Sequence, residues 1–291
     1  MKAYVFPGQG AQYQGMAIPL LERGSAAKTW FEQANDILGF DILQVMIDGS
    51  DEDLRQTRIT QPAIFLHSVI TALISDQFDP AAVAGHSLGE FSALVATGAM
   101  SFEDGLRLVH TRALAMQEAC EITPGTMAAI VGMDNEQVER VCEETQGIVV
   151  PANYNCPGQL VISGELEAVE AAMATLVGMG CRNAIKLSVG GAFHSPLMAY
   201  AEEKLKEGIS NTTIQSPCCP IYQNIDAAPH VDSGEIRINL VRQLTGAVKW
   251  SQSVVNMLQD GITEFVEVGG NGKVLSGLIK KVDRKIPVSS L

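Results

Sequence analysis

The residues best suited to chemistry in this sequence lie at 83–92, which read VAGHSLGEFS. Gly85, Ser87 and Gly89 match the Gly-x-Ser-x-Gly pattern of a nucleophile elbow, a sharp turn that presents a serine between a strand and a helix. The segment AAVAG before the turn is strand-like, and LGEFSALVATGAM after it is helix-like. A helix N-terminus at this place would stabilise developing negative charge. The simpler alternative is a serine that only caps the helix.

A serine hydroxyl needs a base to become a nucleophile, and the sequence offers five histidines. His86 adjoins the serine, and we expect it to point away and to pack or cap. His67 and His110 lie in helical patterns, and we expect His230, in a polar loop, to be exposed. His194, in VGGAFHSPLM, lies between a strand and a Pro-marked helix start. Because sites form in the loops at strand ends of open α/β sheets, His194 is the predicted base.

An arginine follows at helical spacing in SFEDGLRLVHTRALAMQEAC. With 3.6 residues per turn, Arg112 falls about 80° from the centre of the apolar stripe, whereas Arg107 falls about 140° away, on the solvent side. Arg112 can therefore lie along the core boundary and direct its guanidinium into a cleft. The alternative is an ordinary surface arginine whose apolar stem covers the core.

A second glycine-containing loop, Gly8-Gln9-Gly10, follows the apolar strand pattern at 3–6. Tyr13 occupies the place of the third glycine of a dinucleotide-binding fingerprint, and no P-loop lysine follows. We therefore expect this loop to bring its backbone close to a reacting oxygen rather than to bind a nucleotide.

The elements that must position these residues alternate between strands and helices, which predicts an α/β fold with a mostly parallel sheet covered on both faces. Between 126 and 189 the order changes to βαββαβ, the ferredoxin-like arrangement. We predict a catalytic body formed by residues 1–124 and 190–291, with residues 125–189 inserted as a small subdomain.

The formal net charge of −13 argues against nucleic-acid or anionic-membrane binding, which needs clustered basic residues. An acidic partner would need a local basic patch, and KKVDRK at 280–285 is the only dense candidate; the alternative is a solvated helix end.

The six cysteines form no C-x-x-C pair and no zinc-binding pattern, so we expect reduced thiols in a cytoplasmic protein without a metal. The N-terminal segment leads directly into a strand, and we expect no signal peptide and no membrane span.

Several motifs in the same order give the chain a family resemblance. They are FPGQGAQ, TQPA, GHSLGE, TRALAM, GTMAAIVG, NYNCPGQLVISG, GAFHSPL and VRQL. From residue 3 to about residue 280 the chain resembles the malonyl-CoA:acyl carrier protein transacylases, including the acyltransferase domains of polyketide synthases. The resemblance implies an α/β-hydrolase-like body with a ferredoxin-like insertion.

The resemblance also implies roles for particular residues. Ser87 would accept the acyl group, His194 would be its base, and Arg112 would pair with the malonyl carboxylate. The backbone N–H groups of Gln9 and Leu88 would form the oxyanion hole. The implied partners are malonyl-CoA and holo acyl carrier protein. The resemblance also implies a monomeric enzyme without a cofactor, which acts in fatty acid or polyketide synthesis.

Three details of the resemblance concern single positions. Gln243 would help to orient His194 where a hydrolase uses an acid. Phe193 goes with malonyl rather than methylmalonyl in the family, since a bulky ring fills the space that an α-methyl needs. Residues 268–273 read VGGNGK where many members read VGPGK, which predicts a looser loop at the pantetheine or carrier rim.

Two other functions fit parts of the pattern. An α/β hydrolase shares the elbow but needs an acid oriented to the histidine, and it leaves Arg112 without a role. A non-catalytic carrier-binding module would not need the serine, the histidine and the arginine together.

Overall fold

Two β-sheets form the frame of the protein, which a computed structural model describes over residues 1–291. The strands are β1 (Lys2–Phe6), β2 (Ala82–Gly85), β3 (Thr126–Val131), β4 (Val149–Cys156), β5 (Gln159–Gly164), β6 (Asn183–Lys186), β7 (Ile221–Tyr222), β8 (Pro229–His230), β9 (Glu264–Glu267) and β10 (Val288–Ser290).

The α-helices lie between these strands. They are α1 (Ile18–Glu22), α2 (Ser25–Leu38), α3 (Ile42–Asp48), α4 (Asp51–Arg55), α5 (Thr57–Leu73), α6 (Gly89–Ala96), α7 (Phe102–Ile122), α8 (Asn135–Glu144), α9 (Leu166–Gly178), α10 (Ala199–Ser210), α11 (Ser233–Arg242), α12 (Trp250–Gln259) and α13 (Val274–Val282). A short 3-10 helix spans Pro196–Met198. None of the helices is both long and apolar enough to cross a bilayer.

The larger sheet has the order β10-β9-β1-β2-β7-β8 and is parallel except for β8. Alternate residues of its central strand face opposite sides, as the pleat requires. Tyr4 and Phe6 join a core of 52 buried residues on one face, and Ala3 and Val5 join a second core of 13 on the other. The sheet is therefore covered on both faces, and the predicted α/β fold is confirmed.

The smaller sheet is antiparallel throughout and has the order β4-β5-β3-β6. On one face, residues such as Ile130 and Ile162 pack with α8 and α9 in a separate core. On the other face, Met127 and Val161 join the main core. This sheet lies within the predicted insertion, and the division of the chain at 125 and 189 remains a proposal.

The last strand of the smaller sheet is shorter than the sequence pattern predicted. The pattern RNAIKLSV indicated a strand to Val189, but β6 ends at Lys186. Leu187 and Val189 instead line a cavity at the base of the sheet. The apolar pattern that resembled a strand therefore reflects burial against the cavity.

The loop after α11 is bound to the edge of the smaller sheet through backbone hydrogen bonds. Val248 lies along the outer edge of β4, opposite Asn153, in a parallel bridge. Its N–H donates to the Ala152 carbonyl at 2.8 Å, and its carbonyl accepts from the Tyr154 N–H at 2.9 Å. The smaller sheet is thus held against the loop that follows α11.

Candidate active site

Ser87 lies on the sharp turn between β2 and α6, where the chain reverses direction. Its φ is 52°, a left-handed conformation that is uncommon outside glycine. A Cβ on Gly85 would lie 1.9 Å from the Gly89 carbonyl carbon, and a Cβ on Gly89 would lie 2.0 Å from the Phe6 oxygen. Both glycines are therefore required by close backbone packing, as the elbow pattern predicted.

His194 meets the serine across the cleft. Its Nε2 lies 2.7 Å from Ser87 Oγ, and its own φ of 59° is also left-handed. Its Nδ1 contacts the backbone carbonyls of Gln243 at 2.9 Å and Gly246 at 3.2 Å. Because a carbonyl only accepts, Nδ1 carries the proton and Nε2 is left free to accept one from Ser87.

Arg112, on α7, brings its guanidinium directly to the serine. Its Nη2 donates to Ser87 Oγ at 2.8 Å and to Gln243 Oε1 at 3.3 Å, and its Nη1 donates to Gln61 Oε1 at 2.8 Å. The guanidinium carbon also lies 5.7 Å from the centre of the Phe91 ring. A planar cation is thus fixed beside the hydroxyl.

The depth of Arg112 differs from the sequence expectation. The helical pattern placed it at the edge of the apolar stripe, but the residue is 1% exposed. Arg107 lies on the solvent side, as expected, and pairs with Glu103 at 2.8 Å. A helical pattern describes one helix only, and it does not show that α5, α6 and the loop after α11 enclose Arg112.

Gln243 contributes to the site through both its backbone and its side chain. Its backbone carbonyl accepts from His194, while its side-chain Nε2 donates to the Ser87 carbonyl at 2.9 Å. The family resemblance predicts that Gln243 helps to orient the histidine, and the observed contact is made by the main chain. No carboxylate is among the hydrogen-bond partners of His194.

Two backbone N–H groups at the cavity are without an acceptor in the protein. They belong to Gln9, in the loop after β1, and to Leu88, immediately after the serine. Free N–H groups beside a nucleophile can stabilise an oxyanion.

Burial sets the protonation states of the site. Burial, with the neighbouring Arg112 guanidinium, lowers the pKa of His194 to about 3. Burial also lowers the pKa of Arg112 to about 10. At neutral pH the arginine is therefore a cation, and the histidine is a neutral base.

The cavity beside these groups has a volume of about 170 Å³. Its polar wall carries Ser87, His194 and Arg112. The apolar wall comes from α7 and the smaller sheet with its following loop, and comprises Met116, Met127, Val161, Leu187, Val189 and Phe193. The space suits a small acyl group with one anionic end.

The other histidines do not contact the serine hydroxyl. His86 bonds through Nε2 to Asn155 Oδ1 at 3.0 Å, and His67 Nδ1 accepts from the Gly270 N–H at 3.0 Å. His230 was expected to be exposed, but its side chain is only 14% exposed because it lies between two carboxylates, those of Asp226 and Glu235.

The loop at 268–273 is anchored rather than loose. The Gly270 N–H bonds to His67, and Gly269 lies so close to Ser68 that a Cβ would approach its Oγ to 2.4 Å. Glycines at 269, 270 and 272 have left-handed backbones that shape this loop.

Gln61 accepts one hydrogen bond from Arg112, and no sequence pattern predicts this role. The residue is fully buried, and its Nε2 contacts Met116 Sδ at 3.2 Å. The motif TQPA, which contains it, was the only signal that set it apart. No cluster of His, Cys, Asp and Glu side chains is placed to hold a metal ion.

The chain is similar to known proteins over nearly its whole length. The family model described as the acyl transferase domain matches residues 3–291. The malonyl CoA-acyl carrier protein transacylase of Bacillus subtilis (strain 168) is 41% identical over 289 residues, which cover 98% of this chain and 91% of that protein.

The chain is also similar to solved structures. The malonyl CoA-acyl carrier protein transacylase of Coxiella burnetii matches with a TM-score of 0.95 and 37% identity, covering 100% of this chain and 93% of that one. A malonyl-transacylase in complex with its type II PKS acyl-carrier protein matches with a TM-score of 0.93 and 38% identity, covering 99% and 94%.

Proposed function

Because the chain belongs to the acyl transferase domain family, we propose that it is a malonyl-CoA:acyl carrier protein transacylase. It moves malonyl from CoA to Ser87 and then to the phosphopantetheine thiol of acyl carrier protein. The observation that carries the proposal is the position of Ser87 Oγ, 2.7 Å from a neutral histidine and 2.8 Å from an arginine. The first supplies a base, and the second supplies a site for a carboxylate.

The first half-reaction forms the acyl-enzyme. Ser87 Oγ attacks the thioester carbonyl while His194 Nε2 takes the hydroxyl proton. The C–S bond of the tetrahedral intermediate then breaks, and His194 returns the proton to the departing CoA thiolate. The neutral state of His194 in the free protein favours the first proton transfer.

Arg112 gives the reaction its preference for a substrate with a free carboxylate. A guanidinium binds a carboxylate through two parallel hydrogen bonds, which lysine does not reproduce. In the free protein, Gln61 and Gln243 hold the guanidinium in place. Malonyl binding would thus fix the thioester carbonyl beside Ser87, whereas acetyl-CoA has no group for this contact.

The oxyanion that forms during attack would be stabilised by the N–H groups of Gln9 and Leu88. Both donors line the cavity and have no acceptor in the protein. Loss of one such donor in an enzyme typically costs about 3–4 kcal/mol of transition-state stabilisation.

The second half-reaction repeats these steps with a different thiol. The phosphopantetheine thiol of the carrier protein gives its proton to His194 and attacks the malonyl-serine ester, and Ser87 regains its proton as the ester breaks. Water is the competing acceptor. A buried site whose acyl group is held by Arg112 limits hydrolysis.

The test is intact-protein mass spectrometry after a brief incubation with malonyl-CoA. The native chain is expected to gain one malonyl group, which is lost on addition of holo carrier protein. Ser87→Ala is expected to gain none. Release of free malonate without transfer to the carrier would indicate a hydrolase, and carrier binding without any adduct would indicate a non-catalytic module.

The finer assignments belong to the same proposal. We propose that the enzyme works as a cytoplasmic monomer without a cofactor of its own, in fatty acid or polyketide synthesis. Six free cysteines are consistent with a reducing compartment. Transfer rates to fatty-acid and polyketide carrier proteins would distinguish the two pathways.

A further inference from the structure

One asparagine side chain ties together both sides of the serine turn. Asn224, in the loop after β7, donates from Nδ2 to the Gly85 carbonyl at 2.7 Å and accepts at Oδ1 from the Ser87 N–H at 2.7 Å. We infer that Asn224 is a positioning residue that holds the nucleophile turn in its reactive conformation. The inference rests on the proposed acyl transfer at Ser87.

The contact determines which N–H of the turn faces the cavity. Because Asn224 takes the Ser87 N–H, that group is not available to a substrate oxygen. The N–H groups of Gly89 and Glu90 bond to carbonyls earlier in the turn. Leu88 therefore keeps the one uncommitted N–H between residues 87 and 90, and Asn224 contributes to this selection without touching the substrate.

Asn224 is itself fixed by its backbone. Its N–H donates to Glu90 Oε1, and its carbonyl accepts from the Lys249 N–H at 3.0 Å. Asn224 and Glu90 are fully buried. Glu90 lies in the first turn of α6, the helix that follows Ser87. This helix therefore holds Asn224, which in turn holds the serine turn.

The loop that carries Asn224 is tightly constrained. The Ala227 N–H bonds to the Gln223 carbonyl at 2.8 Å, and Asn256 Nδ2 bonds to the Ala227 carbonyl at 2.9 Å. Three non-glycine residues in the protein have left-handed backbones, namely Ser87, His194 and Ala227. Two of them are the proposed nucleophile and base, and the third lies in this loop.

The physical reason for a brace is the conformation of Ser87. A left-handed serine persists only where the surrounding structure holds it. Without the Asn224 side chain, the buried Gly85 carbonyl and the half-buried Ser87 N–H lose their partners, and the turn can relax. A shift of about 1 Å in a reacting atom can slow a reaction about 100-fold.

The experiment compares Asn224→Ala with Asn256→Ala, which breaks a hydrogen bond of the same loop but does not touch the serine turn. Single-turnover formation of malonyl-enzyme is followed by mass spectrometry. The Kd for malonyl-CoA is measured in a Ser87→Ala background, and the unfolding midpoint is measured for each variant. We expect Asn224→Ala to be about 100-fold slower with an unchanged Kd, and Asn256→Ala to react at the native rate.

An Asn224→Ala rate within threefold of native overturns the inference, as does an equal slowing of both variants in proportion to lost stability. If Asn224→Ala does not fold, Asn224→Asp decides, since it keeps the size and the acceptor but loses the Nδ2 donor. At least tenfold slowing supports the brace, and a native rate overturns it. Failure of the native chain to form any adduct would instead refute the proposed function.

Discussion

The proposed role of Arg112 predicts a change in substrate preference when its geometry is altered. Arg112→Lys keeps a positive charge but loses the bidentate contact. We expect malonylation of Ser87 to slow about 100-fold, because charge-assisted hydrogen bonds contribute about 1.5–3 kcal/mol each. The ratio of the malonyl-CoA rate to the acetyl-CoA rate, measured by single-turnover mass spectrometry, should fall. Arg107→Lys on the exposed face is the control, and equal slowing with both thioesters would contradict the role.

Phe193 should restrict the size of the acyl group. Its ring lines the cavity next to His194 and is 6% exposed. Phe193→Val opens space for an α-methyl, and one methyl-sized group in an apolar pocket changes discrimination about tenfold or more. The methylmalonyl-to-malonyl rate ratio should rise accordingly. Phe102→Leu, at a buried ring outside the cavity, should leave the ratio unchanged, and an unchanged ratio in Phe193→Val would exclude this role.

The acid limb of the profile of kcat/KM against pH should lie at a pH well below the ordinary pKa range of histidine. Burial and Arg112 lower the pKa of His194 to about 3, so the free enzyme keeps a neutral base throughout the weakly acidic range. Since kcat/KM reports the free enzyme, it should show no inflection near pH 6.5. A midpoint at that pH, in a profile taken from pH 5 to 7, would show that His194 is more solvated than its position indicates.

At the level of the elements, the junction of β2 and α6 leaves no space for a side chain at Gly85 or Gly89. A Cβ at Gly85 would meet the first turn of α6 at 1.9 Å. We expect Gly85→Ala to lower the free energy of unfolding by about 3 kcal/mol and to abolish adduct formation. Gly178→Ala, at the end of α9 with open space around it, is the matched control in urea unfolding. Equal stabilities of the two variants would mean that the turn can shift without cost.

At the level of the whole molecule, two buried groups give stability an opposite dependence on pH. Burial raises the pKa of Glu90 to about 8, so from pH 4.5 to 8 the native state binds a proton that the unfolded chain has released. The contribution of Glu90 to the free energy of unfolding therefore falls as pH rises. His194 has a lowered pKa, so below pH 6.5 the unfolded chain binds the extra proton, and this contribution falls as pH falls.

Between pH 6.5 and 8, therefore, Glu90 makes the free energy of unfolding depend on pH, and the opposing contribution of His194 does not change. Unfolding midpoints in urea should decrease over this range for the native chain. In Glu90→Gln, which keeps an acceptor for the Asn224 N–H, that decrease should become smaller. If the unfolding midpoints of the two proteins change in parallel with pH, Glu90 is already ionised in the native state.

The local patterns of the sequence were sufficient to predict the α/β fold and the strand-turn-helix around Ser87. They succeed because the glycines and the apolar runs report on neighbours within a few residues. The full burial of Arg112 and its contact with Gln61 were not predicted, since residues 51 positions apart meet only through the packing of α5 on α7.

Residue patterns also did not show which atom of Gln243 contacts His194, or that Asn224 contacts the serine turn. Any residue at 243 would have a carbonyl for His194, so residue type carries no signal for that contact. Asn224 lies 137 positions from Ser87, in a loop whose composition resembles many polar turns. Its role depends on the path of β7 beside β2, which sequence patterns do not specify.

The cavity contains a single serine, and this has a kinetic consequence. Ser87 Oγ carries one acyl group at a time, so the two thiols must react with it in succession, and the enzyme carries the malonyl group between the two reactions. Steady-state rates should then follow a double-displacement law, with parallel lines in double-reciprocal plots at several carrier concentrations. Free CoA, as the first departing product, should compete with the carrier for the loaded enzyme.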